Sequence, residues 1–328
     1  MTSIFTRHGG GLAQARAMFG EGGRPWLDLS TGINPVAWPG VDGLSPDWQS
    51  LPDPAHLAEL EATAAAHFGV VPELCCAVPG SELALRLLGK LLDIPGAYLS
   101  PCYRTHSSAF AGGRALATFD VPPDEPLALL LANPNNPDGR IIAPEQLMEW
   151  HAMLVGKQGW LVVDEAFADA TPANSIAQHV NAARHLIVLR SFGKFFGLAG
   201  VRLGFVLAPP AIIEALRGLL GEWPLSAAAL AIGIAAYNDK GWIVETREAL
   251  PRRAGRLDAL LRESGLQPMG GCPHFRLIEC ENADAMFVNL AQKGILTRPF
   301  DYNPRWLRLG VPAREADVVR LIGALCDG

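Results

Sequence analysis

The chain has 328 residues, of which 49% are hydrophobic and 18% charged, and a formal net charge of −6. That length and apolar content imply an ordered globular protein with a large core and two packed domains. The acidic balance excludes broad electrostatic binding to nucleic acid or to an acidic membrane surface.

Residues 1–12 carry Arg7, His8 and three glycines, without the apolar centre of a signal peptide. The longest mostly apolar segment, 225–236, is shorter than the roughly 20 residues that span a bilayer. Six cysteines, two of them adjacent at Cys75 and Cys76, lack metal-ligand spacing. They read as core thiols of a reducing compartment, so a cytoplasmic protein without a bound metal is expected.

In chain order, the arm from Thr6 to Leu12 is glycine-rich, with a composition suited to offering backbone N–H groups to an anion and equally to a plain surface arm. Asp28-Leu29-Ser30 reads as a short strand ended by the turn Thr31-Gly32-Ile33-Asn34-Pro35. The proline-rich stretch 36–54 reads as a crossing loop, and leucines and alanines predict a helix over 56–68. From Ala77 the chain alternates strands and helices. A strand ends in Pro79-Gly80-Ser81-Glu82, a turn that opens a helix over 83–92 and whose amides suit a phosphate, although a helix cap explains Ser81 equally well. Short apolar strands follow at 97–99 and 127–131, the latter running into Asn133-Pro134-Asn135-Asn136-Pro137. A helix over 144–153 precedes the apolar run 160–163, which ends at Asp164. The strand 185–189 leads into Ser191-Phe192-Gly193-Lys194, and Arg202 precedes another apolar run, 203–207.

Continuous apolar strands separated by helices predict a mostly parallel sheet with helices on both faces, an α/β fold. From Leu225 onward the pattern is helical, with strands at 275–279 and 306–311. The expected division is a large domain over 46–224 and a smaller α+β domain from 1–45 and 225–328. No GxGxxG follows the first strands, and no internal repeat is visible. Gly80, Tyr103, Asn136, Asp164 and Lys194 all fall just past predicted strand ends, where ligands bind in such sheets.

Ser191 stands three residues before Lys194 and Arg202 eight after it. An amine flanked by two phosphate-binding groups suits pyridoxal phosphate, whose aldehyde condenses with a lysine. Asp164 ends an apolar strand, a costly place for a carboxylate unless it caps a helix or meets a cation such as a protonated pyridine nitrogen. Asn136 reads either as a donor to the ring's phenolic oxygen or as a turn former, and Tyr103 either as a ring stacked on the pyridine or as a core tyrosine.

The motifs NPNNPDG, VVDEAF, SFGK and AGVRLG, in this order over nearly the whole chain, resemble the fold-type I, aspartate-aminotransferase-like superfamily of pyridoxal phosphate enzymes. RHGGGL, DLSTGINP, DEAF and WPLSAAA resemble its threonine-phosphate decarboxylase branch of cobalamin biosynthesis, which is related to histidinol-phosphate aminotransferases. The resemblance implies Lys194 as the Schiff-base lysine, Asp164 as the pyridinium partner, Asn136 on the phenolic oxygen and Tyr103 stacked on the ring. It implies Ser81, Glu82 (through backbone amides), Ser191 and Arg202 on the cofactor phosphate, and Phe167 beside the phenolic oxygen. Arg308 matches the arginine for the substrate carboxylate, with Gly32 and Asn34 near it, and His8 and Arg298 are candidates for a substrate phosphate.

Two departures stand out. Leu51 replaces a tyrosine that in relatives reaches the phosphate across a dimer, and Phe167 replaces a tyrosine that donates to the phenolic oxygen. The resemblance implies a homodimer that decarboxylates L-threonine O-3-phosphate. The alternatives are an aminotransferase of the histidinol-phosphate type and a non-catalytic cofactor-binding protein.

Overall fold

A computed structural model describes residues 4–21, 25–120 and 124–326. The chain divides into two compact units, residues 1–36, 137–140 and 247–328 in the first and residues 37–136 and 141–246 in the second. Residues 37–45 and 225–246, expected in the smaller domain, thus belong to the second unit. The cause is local: helix Ala227–Asn238 is apolar on all sides and packs on helix Pro54–Phe68, and the Trp38 ring N–H donates to Asp239 at 3.0 Å. The N-terminal part of the first unit contains α1 (Leu12–Phe19) and β1 (Leu27–Asp28).

In the second unit, α2 (Pro54–Phe68) starts where the Asp53 carboxylate accepts from the Ala55 N–H at 2.8 Å. That bond satisfies a donor with no intrahelical acceptor, and Pro54 supplies a helical φ without needing one. The seven strands are β2 (Cys75–Val78), β3 (Gly96–Leu99), β4 (Arg114–Leu116), β5 (Ala128–Ala132), β6 (Trp160–Asp164), β7 (Leu186–Ser191) and β8 (Gly204–Leu207), in spatial order β2-β8-β7-β6-β5-β3-β4. Strands β4, β3, β5, β6 and β7 pair in parallel, whereas β8 runs antiparallel to both β7 and β2. The mostly parallel sheet expected from the apolar strands is therefore present. Around it lie α3 (Ser81–Leu92), α4 (His106–Ala109), α5 (Pro144–Val155), α6 (Phe192–Phe195), α7 (Pro210–Leu220) and α8 (Ala227–Asn238). Leu85, Leu88, Leu130, Val162, Ile187 and Val206 are buried in one core cluster, each such side chain contributing about 1.5–3 kcal/mol. This rigid sheet holds the strand ends that carry the candidate site.

The first unit continues from Arg247 within α9 (Lys240–Glu263). It then contains β9 (Pro268–Met269), β10 (Phe275–Glu279), α10 (Ala283–Gln292), β11 (Ile295–Leu296), β12 (Arg298–Phe300), β13 (Asn303–Gly310) and α11 (Glu315–Cys326). β12-β13-β10-β9 form an antiparallel sheet, and β1 pairs in parallel with β11. Phe5, Leu29, Leu257, Ile278, Phe287 and Leu307 share its core. Strand β10 covers the residues expected from the sequence, and β13 begins three residues earlier. Among the described residues, no helix is long and apolar enough to cross a membrane, and no cluster of His, Cys, Asp or Glu is built to hold a metal ion.

Candidate active site

Lys194 stands in α6, the single helical turn that follows β7. Phe192, Phe195 and Phe196 of that turn are fully buried. Phe192 stacks on Phe196 with centroids 4.5 Å apart, and Phe196 stacks on Trp242 at 5.4 Å. These aromatic contacts fix the turn and leave Lys194 half-buried, its Nζ 5.9 Å from the centre of the buried Phe167 ring.

A positive pole lies nearby at the start of α3. Gly80 is the N-cap at φ 88°, and Ser81 is the first helical residue rather than the cap. The first N–H groups of a helix have no intrahelical acceptor, so the Ser81 and Glu82 amides are available to an anion. A Cβ on Gly80 would lie 2.7 Å from Nη2 of Arg202, so a side chain there would displace the guanidinium from the helix start. Gly204 pairs with Ser191 across β7 and β8, and a Cβ on it would lie 2.7 Å from the Ser81 nitrogen. Two glycines thus bring Ser81, Ser191 and Arg202 together. Arg202 itself adopts the left-handed conformation at φ 57°.

At the other strand ends, the Asp164 carboxylate accepts from the Ala166 N–H at 3.2 Å, and its second oxygen lies 3.1 Å from Nε2 of His106. Asn135 donates to the Pro101 carbonyl at 2.9 Å, tying the loop after β5 to the loop after β3. Asn136 is buried beside it, and Tyr103 follows Pro101 in the other loop. The Tyr103 hydroxyl donates to Oε2 of Glu82 at 2.9 Å. Burial, then the Glu82 charge, pushes this phenol up to about 12. Ser81, Glu82, Tyr103, Asn136, Asp164, Phe167, Ser191, Lys194 and Arg202 all belong to the second unit.

Sequence reasoning missed three features of this unit. One is His106, whose only advance signal was its position three residues after Tyr103 at the start of a helical turn. Another is the Glu82 side chain. The third is buried Arg190, which donates to Glu165 at 2.7 Å and to Asp169, while Nε2 of His67 lies 3.0 Å from Asp169. Glu165 and Arg190 adjoin Asp164 and Ser191 in sequence, so this ionic cluster underlies two of the strand ends.

The remaining candidates belong to the first unit. Arg308 on β13 is 3% exposed and donates to the Ser30 carbonyl at 2.8 Å. Its cross-strand neighbour is Arg298, 5% exposed, which donates to the Arg7 carbonyl at 3.3 Å. Complete burial, then the Arg298 charge, pushes the Arg308 guanidinium well down from its ordinary value. Ser30, not singled out by sequence, also accepts from the Gly10 N–H through its hydroxyl at 2.8 Å, so it links the N-terminal arm to Arg308. His8 in that arm is exposed, and Gly32 is buried. Asn34 is 3% exposed and accepts from the Val36 N–H at 3.1 Å. Thr31, Asn34 and Gly310 line a cleft of about 470 Å³ in this unit.

The donor set of the second unit fits pyridoxal phosphate. Two positive poles, the α3 N-terminus and Arg202, share one spot opened by Gly80, as a phosphate dianion requires. A lysine amine, a buried carboxylate and a buried amide stand at neighbouring strand ends, as an aldehyde, a pyridine nitrogen and a phenolic oxygen require.

Known proteins agree with this construction. The profile of the aminotransferase class I and II family matches residues 114–325. A threonine-phosphate decarboxylase of Sinorhizobium sp is 40% identical over 326 residues, 97% of each chain. One of Pseudomonas aeruginosa is 41% identical over 327 residues, 97% of this chain and 96% of that one. In three dimensions the chain is similar to a histidinol-phosphate aminotransferase from Sinorhizobium meliloti solved with pyridoxal-5'-phosphate, with a TM-score of 0.81 at 22% identity over 97% of this chain and 94% of that one. The chain belongs to the aminotransferase class I and II family and has its fold-type I architecture.

Proposed function

We propose that this chain is a pyridoxal-phosphate-dependent carboxy-lyase that converts L-threonine O-3-phosphate to (R)-1-amino-2-propanol O-2-phosphate and CO₂, a step of cobalamin biosynthesis. The observation that carries this reading is the 40–41% identity, over 97% of the chain, with two threonine-phosphate decarboxylases. The paired buried cations Arg298 and Arg308 support it. Neighbouring like charges repel, and a substrate with two anionic ends relieves that repulsion.

When bound, the cofactor supplies an electron sink for the pair released as a bond at the substrate Cα breaks. Ser81, Glu82, Ser191 and Arg202 hold its phosphate, Asp164 keeps a proton on its pyridine nitrogen, Asn136 donates to its phenolic oxygen and Tyr103 carries its flat face. Lys194 binds it through the aldehyde carbon. With the substrate in place, the Lys194 amine, protonated, would be the group that delivers a proton to Cα where the carboxylate leaves as CO₂. Arg308 takes the substrate carboxylate, with Asn34 and the Gly32 backbone beside it. His8 and Arg298 take the substrate phosphate. Anchoring both anionic ends of the substrate would favour loss of the carboxylate over loss of the hydrogen at Cα.

The protein works in the cytoplasm as a homodimer. The exposed Trp223 lines a shallow depression of the second unit with Pro52, Leu57 and Pro224, and the exposed Leu51 precedes Pro52 in sequence, so these residues supply an apolar contact surface. With leucine at position 51, the cofactor phosphate receives no hydroxyl from that position of a partner.

The test is a product assay on the purified holoenzyme. Stoichiometric CO₂ from L-threonine O-3-phosphate, without consumption of 2-oxoglutarate, supports the reading. Glutamate formed from histidinol phosphate and 2-oxoglutarate, without CO₂, overturns it in favour of an aminotransferase. His8→Ala is expected to weaken use of the phosphorylated substrate, and Arg308→Ala to weaken binding through the carboxylate.

A further inference from the structure

Glu82 has two features in one residue. Its backbone amide opens α3 beside the phosphate-binding pole, and its side chain turns to the loop after β3. There the carboxylate accepts four hydrogen bonds. Oε2 accepts from the Tyr103 hydroxyl at 2.9 Å, and Oε1 accepts from the Thr105 hydroxyl at 3.0 Å. Oε1 also accepts from Nε and Nη2 of Arg86 at 3.1 and 2.8 Å. The Glu82-Arg86 spacing places the pair on one face of α3, one turn apart.

A carboxylate is an unfavourable neighbour for a site that must take a phosphate. Its presence here has a compensating use. A tyrosine ring has two soft side-chain torsions, and a bond at its distal oxygen removes most of the remaining freedom. Tyr103 is gripped at that oxygen, while its ring meets His106 edge-on, with centroids 5.8 Å apart at 89°. His106 in turn reaches Asp164. The grip therefore sets the ring's tilt against the same group that holds Asp164.

We propose that Glu82 is the positioning residue for Tyr103, its carboxylate anchored by Arg86 and Thr105 so that the tyrosine ring is held as the platform on which the cofactor lies. The ionic state agrees with this geometry. Burial opposes ionisation of Glu82, but the bonds from Arg86, Thr105 and Tyr103 outweigh it and hold the carboxyl below its ordinary value. Arg86 and Thr105 thereby also offset part of the carboxylate's repulsion of a bound phosphate.

The proposal rests on the cofactor reading given above, and its test separates the two. In holoenzyme labelled with ¹³Cζ-tyrosine, four signals are expected, from Tyr98, Tyr103, Tyr237 and Tyr302, and Tyr103→Phe identifies one of them. Glu82→Ala is expected to shift that signal while leaving those of Tyr237 and Tyr302 in place, which also reports an intact fold. An unmoved Tyr103 signal overturns the contact. Cofactor affinity is then compared in wild type, Glu82→Ala, Tyr103→Phe and the double variant. Glu82→Ala is expected to weaken pyridoxal phosphate binding about tenfold in the wild-type background, the scale of a charge-assisted hydrogen bond. In the Tyr103→Phe background the same change is expected to have no effect or to tighten binding, since only the loss of a negative charge near the phosphate remains. Equal weakening in both backgrounds, or none in either, overturns the proposal and leaves the cofactor reading intact. A wild-type protein that takes up no pyridoxal phosphate overturns both.

Discussion

Nε2 of His106 lies 3.1 Å from Oδ2 of Asp164, and the two side chains are 0% and 8% exposed. Asp164 ends an apolar strand, so it depends on such a partner. His106→Ala removes the partner and leaves the carboxylate oxygen with the cost of an unmet buried acceptor, about 1–3 kcal/mol. The expected outcome is weaker retention of pyridoxal phosphate, measured as visible absorbance surviving gel filtration. His106→Asn, which can still donate, is expected to retain more than the alanine variant.

Lys194 is carried by a turn whose neighbours are buried phenylalanines, so removing its side chain leaves the turn's anchors in place. Lys194→Ala is expected to yield a folded protein without the visible band of the cofactor joined to lysine. Turnover should fall by more than about a thousandfold, because both the covalent attachment and the proton donor are lost. Wild-type turnover in this variant contradicts the assignment.

Phe167 is buried, its ring centre 5.9 Å from Nζ of Lys194, and brings no hydroxyl there. A donor at this position would stabilise an anionic phenolic oxygen and so lower the pH at which the bound cofactor gives up its proton. Phe167→Tyr should therefore move the midpoint of an absorbance titration of the holoenzyme downward. An unchanged or higher midpoint contradicts the placement of Phe167 beside that oxygen.

The sequence made the sheet and most strand-end groups legible for a common reason. Residues 127–131 and 160–163 are short runs, apolar without alternation, which suits strands covered on both faces, and Asn136, Asp164 and Lys194 each come within five residues of the end of such a run. What stayed hidden depends on pairing between distant segments. Nothing local in Glu82 announces Tyr103, which lies 21 residues on. The antiparallel direction of β8 was hidden for the same reason, since an apolar run carries no direction. The packing of the helix at 227–238 on α2 was hidden as well, because a uniformly apolar helix does not reveal its partner.

Arg190 is 3% exposed and serves both Glu165 and Asp169. Arg190→Met leaves two buried carboxylates without their cation and should destabilise the fold by about 3–5 kcal/mol, read from denaturant unfolding. A loss under about 1 kcal/mol would mean that the carboxylates find other partners.

The same cluster gives a pH dependence. Burial opposes ionisation of Asp169, but the Arg190 charge and the His67 bond outweigh it and hold the carboxyl below its ordinary value. A carboxyl depressed in the folded state contributes stability that is complete above its unfolded pKa and declines as pH falls below about 4. Complete burial pushes Glu165, on the same guanidinium, upward, so it offsets part of that decline. Thermal melts from pH 6 to pH 3 should show a falling Tm in wild type and a shallower fall in Asp169→Asn. An equally steep fall in both places the acid sensitivity elsewhere.

The missing side chain at Gly80, whose place the Arg202 guanidinium takes, has a consequence for which form of the cofactor is taken up. It lets a guanidinium and a helix start share one spot, an arrangement that repels itself until a dianion arrives. Pyridoxal without its phosphate offers the aldehyde and the ring but leaves that repulsion standing. The protein is therefore expected to take the phosphorylated form in preference to pyridoxal, by charge, before any chemistry begins. Occupancy of the site should then follow the concentration of the phosphorylated form, and an excess of unphosphorylated pyridoxal should not substitute for it.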